Sequence, residues 1–138
     1  VHRFSPKKPV RSFRDLEVYQ ATLACSVIVA KDVYPKLEKL ACPFAEAMTD
    51  TARGIPLSLA TGHSLRFGDH ATAILILERA MAGCNKMAVY LEHAKGIYGP
   101  KLDASLLDDL VGRYEAARVK IFRLGKAWQK FTPPRPRA

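Results

Sequence analysis

Lys120, Arg123, Lys126 and Lys130 recur at spacings of three and four near the end of the chain. At about 100° per residue they fall within an arc of about 120° on a helix, so one face presents a row of ammonium and guanidinium groups. Such a row suits a line of phosphates, with an affinity that falls steeply with salt as condensed counterions are released. The same row also describes a solvated helix face whose cations complement the macrodipole at its C-terminus. A second cluster, Arg3, Lys7, Lys8, Arg11 and Arg14, occupies the first 14 residues without an acid, and residues 116–138, where Arg118 joins the row as a further candidate for nucleic-acid binding, hold none either. All 13 acids lie between Asp15 and Glu115, against ten bases in that span. The net charge of +9, from 22 Lys and Arg, is therefore a mildly acidic body with two basic ends. Such ends raise the expectation of a polyanionic partner. No RRM, KH or zinc-finger signature supplies base readout, so the expected partner is RNA or DNA held through its backbone, without strong sequence preference.

Other chemistries find less support. His63, His70 and His93 with Cys25, Cys42 and Cys84 match no zinc spacing. No Glu-x-x-His suits a di-iron bundle, and no CxxCH suits covalent haem. Walker, GxGxxG and GxSxG patterns are missing from the sequence. Asp108 and Asp109 point about 100° apart on a helix, which fits a solvated first turn better than a carboxylate pair. The expectation is a protein with no catalytic residues, no metal and no cofactor. Three widely spaced cysteines read as reduced, mostly buried thiols of a cytoplasmic protein. No signal-peptide h-region follows the first residues. The uncharged stretch from Ala21 to Ala30 is half of the ~20 residues that a membrane span needs.

The elements that must carry the basic clusters are helical. The 138 residues are 49% hydrophobic and 25% charged, which suits one globular domain. Residues 1–12 read as a basic arm interrupted by Pro6 and Pro9, residues 13–131 as four helices, and residues 132–138 as a Pro/Arg tail. The first helix is expected from Phe13 to Tyr34, with the stripe Leu16, Tyr19, Leu23, Val27, Ala30 and Tyr34, and with Pro35 ending it. The second is expected from Pro43 to Leu65, striped by Phe44, Met48, Ile55, Leu59 and Gly62. Pro56 should kink it near Arg53 or split it in two. The third should run from an Asp69 cap to Ala94 along Ile74, Leu77, Met81, Cys84, Ala88 and Leu91, with a stop at Gly96–Pro100. The fourth has the strongest periodicity: Leu107, Leu110, Tyr114, Ala117, Ile121, Leu124, Trp128 and Phe131 alternate by three and four. Helices of this length joined by short connections favour an all-α, antiparallel up-down-up-down bundle.

Ile74–Leu77 are apolar round every side of a helix, so the third helix is either central or touches another subunit as well. Leu75 and Ile76, with Val111 and Phe122 off the seam of the last helix, are the candidate contacts of a homo-oligomer. Phe122 is also a candidate for stacking on a base.

Ser12-Phe13-Arg14-Asp15-Leu16-Glu17-Val18-Tyr19-Gln20 resembles the opening helix of the 23S rRNA intervening-sequence proteins. Ile55-Pro56-Leu57-Ser58-Leu59-Ala60-Thr61-Gly62 is similar to their SIPSNIAEG segment, and Arg79–Ala94 follows their third helix without a gap. Val111-Gly112-Arg113 and Leu124-Gly125-Lys126-Ala127-Trp128 look more like the related accessory variability proteins of diversity-generating retroelements. The chain departs from the first pattern at Thr61, where Glu is usual, and at Lys86 and Ala88, where acids are. The resemblance implies a four-helix bundle closing into a homopentamer without catalysis. On the retroelement side it implies nucleic-acid binding beside a reverse transcriptase. Two other readings of the basic ends are a scaffold docking an acidic protein partner and, further off, a carrier using the bundle core.

Overall fold

A computed structural model describes residues 9–130, and every regular element in that span is helical. The chain enters through a single 3-10 turn at Phe13–Asp15. Ser12 caps it: its Oγ accepts from the Arg14 amide at 3.1 Å, and the Asp15 carboxylate accepts from the Ser12 amide at 3.1 Å and the Arg11 amide at 2.9 Å. Those two amide bonds hold the Asp15 carboxyl below its ordinary range.

The first helical path is longer than its sequence suggests. Helix α1 (Glu17–Ile28) passes through a wide π turn at Val29–Val33 into α2 (Tyr34–Lys39). Pro35 therefore does not end the helix. In the wide turn the Tyr34 amide bonds to the Val29 carbonyl five residues back, and Pro35 falls in the first turn of α2, where its missing N–H is not needed. The buried face also differs from the expected stripe. Val18, Thr22, Cys25, Val29, Val33 and Leu37 point inward, while Leu23 and Val27 are exposed. Both faces of α1 carry apolar residues, and packing selects the one with smaller side chains. Thr22 is tolerated there because its hydroxyl donates to the Val18 carbonyl at 2.8 Å.

Helix α3 (Ala45–Leu65) is one element through Pro56, not two, and starts two residues after Pro43. Its buried Met48, Ile55, Leu59 and Gly62 match the expected stripe. Helix α4 (His70–Tyr98) is capped by Asp69, whose side chain accepts from the Thr72 amide. It continues past Gly96 and stops at Gly99, whose φ of 49° favours glycine. Helix α5 (Ala104–Lys130) buries Leu107, Leu110, Tyr114, Ala117 and Ile121 as the periodicity predicts; Phe131 lies outside the described residues.

Helix α4 packs on both α3 and α5, and α1 lies against α3 and α5 in turn. Each of these helices therefore has two main neighbours, so α4 is not central, and its Leu75 is left exposed. Ala52, Ala73, Ala80 and Gly83 line its approach to α3, and a Cβ on Gly83 would lie 2.9 Å from Ile55 Cγ1. Cys25, Cys42 and Cys84 are buried free thiols. Burial pushes the Cys84 thiol up to about 12. No described helix is long and apolar enough to cross a membrane.

Candidate nucleic-acid interface

The exposed side of α5 carries Lys120, Arg123, Lys126 and Lys130, all facing solvent. The row is spread between two neighbours. Lys120 Nζ lies 3.8 Å from the Glu17 carboxylate of α1, an exposed pair of small energetic consequence. Lys126 sits on the α4 side, with its ammonium 5.3 Å from the centre of the Phe122 ring. Arg118 is apart from this row, beside α4, close enough to Cys84 to favour its thiolate electrostatically.

Of the N-terminal cluster, Arg11 and Arg14 are described and exposed; Arg3, Lys7 and Lys8 lie outside the described residues. The capping box fixes the backbone from Arg11 onward, Gln20 Nε2 donates to the Arg14 carbonyl at 2.7 Å, and the Arg14 guanidinium lies 4.6 Å over the Phe13 ring. This end of the chain meets the end of α5. Val10 and Leu16 line one cavity with Leu124, Ala127 and Trp128 of α5, with His63 of α3 and with Arg66 and Phe67 of the α3–α4 turn. Its volume is about 320 Å³. The described stretches that adjoin the two basic ends, from Val10 and up to Trp128, are therefore neighbours in space, and Arg66 lines the same cavity.

The cavity wall is built from residues whose sequence context hides their role. Gly62 has no side chain, so the indole of Trp128 seats against α3; a Cβ there would already touch Trp128 Cζ3 at 3.5 Å. His63, one residue on, is only 6% exposed. Arg66 Nη1 lies 3.2 Å from its Nδ1 and donates to its carbonyl. A guanidinium can only donate, so Nδ1 accepts and the imidazole proton sits on Nε2, which is buried without a partner. Burial, and secondarily the Arg66 charge, hold the His63 pKa below its ordinary value, against a small opposing pull from Asp15. Phe67 is 76% exposed, with the Arg66 guanidinium 4.3 Å over its ring. In the sequence Trp128 reads as core seam, and Arg66 and Phe67 have no evident role; an aromatic and an arginine beside a helix-ending glycine were the available signal.

The oligomer candidates divide. Leu75 and Phe122 are about half exposed, at 47% and 51%. Ile76 is half-buried with its Cγ2 beside Gly62, and Val111 packs partly on its own core. Phe122 borders a groove between α4 and α5 with Ile74, Met81 and Lys126. Among the described residues no group of three His, Cys, Asp or Glu is placed to hold a metal ion. No family model, curated protein or solved structure matches the chain.

Proposed function

We propose that this chain is a non-catalytic nucleic-acid-binding protein of the 23S rRNA intervening-sequence type, acting as a homo-oligomer, with a pentamer favoured. In this reading the four helices alternate up and down, with a bend at Pro56. The protein works in the cytoplasm as an accessory to a reverse transcriptase or another nucleic-acid enzyme. The observation that carries the binding role is the shared cavity: Val10 and Leu16 on one side and Leu124 and Trp128 on the other bring two acid-free segments to one end of the molecule. Arg11 and Arg14 then belong to the same end of the molecule as the last turns of α5, which carry Arg123 and Lys130. A polyanion touching both neutralises more of its charge than either cluster alone could.

Fluorescence anisotropy with a labelled oligonucleotide at rising salt tests this reading. Binding should be clear at ~50 mM salt and weaken steeply above it. Replacing Lys120, Arg123, Lys126 and Lys130 by Gln should weaken every sequence alike. It should also flatten the slope of log K against log salt by about 3, because four fewer phosphates are neutralised. No binding at ~50 mM salt would reject the nucleic-acid role and leave the alternative, a scaffold whose basic end docks an acidic protein.

A further inference from the structure

The cavity between the basic ends has features that phosphate binding does not need. At about 320 Å³ it lies at the small end of pockets that enclose one organic ring system, ~300–1,000 Å³. Its walls are mainly apolar and include two aromatic rings, Phe67 and Trp128. The indole of Trp128 is half-buried, with one edge beside Gly62 of α3. His63, in the same wall, carries a donor without an acceptor. One cation, Arg66, is part of the wall, and Arg11 follows Val10 in sequence. An apolar slot with two aromatic side chains and one guanidinium in its walls complements a flat ring flanked by phosphates.

We propose that this cavity receives one unpaired nucleobase of a single-stranded RNA or DNA whose phosphates lie on the surrounding cations. The proposal rests on the nucleic-acid reading above and sharpens it, from backbone contact alone to a preference for strands with free bases. Phe67 and Trp128 supply the stacking surfaces. Every base has a π-face, so the preference is for strandedness and not for sequence. A duplex cannot offer a base without unstacking it, so duplex should bind only through its phosphates.

Trp128 is the single tryptophan of the chain, which makes its emission a report on the cavity itself. The experiment compares a labelled twelve-residue oligothymidylate, an abasic strand with the same number of phosphates, and a twelve-base-pair duplex, all with the full chain at ~50 mM salt. Oligothymidylate should alter Trp128 emission and bind at least about fivefold more tightly than the abasic strand, the low end of what one stacked base contributes. Phe67→Ala removes an exposed ring, which circular dichroism should show to leave the helices intact. It should bring oligothymidylate close to the abasic affinity while leaving the abasic strand unchanged. Equal binding of the two strands with unmoved emission would overturn the base pocket and leave phosphate binding standing. Failure of all three probes to bind would remove both.

Discussion

At the scale of single residues, His63 has the clearest consequence. In the folded chain burial and, secondarily, Arg66 disfavour its imidazolium and hold its pKa below the ordinary value. In the unfolded chain it titrates near the ordinary value of about 6.5. Above that pH both states are neutral and the group adds no pH dependence. Below it the unfolded state takes up a proton that the folded state resists, so stability falls as the solution is acidified. The urea midpoint should therefore drop between pH 7.5 and pH 5.5, and His63→Gln should reduce that drop; an undiminished drop in the variant would assign it elsewhere. None of this was legible in the sequence. A histidine between Gly62 and Ser64, close to a turn, looks like a polar surface residue until Leu16 and Trp128 are seen to arrive from the two ends of the chain. The cations themselves were readable, because a row at three and four needs only its own helix. Their meeting was not, because proximity of Val10 to Trp128 depends on every helix between them.

At the scale of elements, the periodic signal served α5 best. Leu107, Leu110, Tyr114, Ala117 and Ile121 form one apolar stripe with polar neighbours, and all five are buried. It served α1 worst: Leu16, Tyr19, Leu23 and Val27 compete with Val18, Thr22, Cys25 and Val29, and a helix apolar on two sides does not declare its inner one. The contact between α3 and α4 yields a further test. Gly112, within α5, has open space where a Cβ would go, whereas Gly83 faces Ile55. Gly112→Ala should stabilise the fold by about 0.5–1 kcal/mol through helix propensity. Gly83→Ala gains the same propensity but forces the Ile55 side chain aside, an overpacking cost of about 1–3 kcal/mol. Chemical denaturation should rank the two variants on opposite sides of the parent. A stabilised Gly83→Ala would mean that Ile55 yields freely.

At the scale of the whole molecule, charge and assembly are linked. Net charge of +9 on one chain is multiplied by every subunit of a homo-oligomer, and the field that recruits a polyanion grows with it. The exposed Leu75 and Phe122 are apolar surface that subunit contact would cover. Light scattering at micromolar concentration should give a mass several times the 15.3 kDa of one chain. Leu75→Glu with Phe122→Glu should reduce that mass while keeping the helical content. A clean single-chain mass for the parent would refute the assembly.

The wide turn at Val29–Val33 has one more implication. Cys25, Val29, Val33 and Leu37 are four apart, and on an unbroken α-helix each such step would drift about 40° away from the core. The wide turn takes the drift back. Removing one of Ala30, Lys31 or Asp32 would turn those spacings into an ordinary four-three-four series, so the segment holds one residue more than a straight helix would need. Pro35 follows directly on the surplus, in the first turn of α2, whereas α3 carries Pro56 without such a turn. Deleting one of those three residues should therefore keep the buried face in register and place Pro35 inside a regular helix, as α3 already carries Pro56.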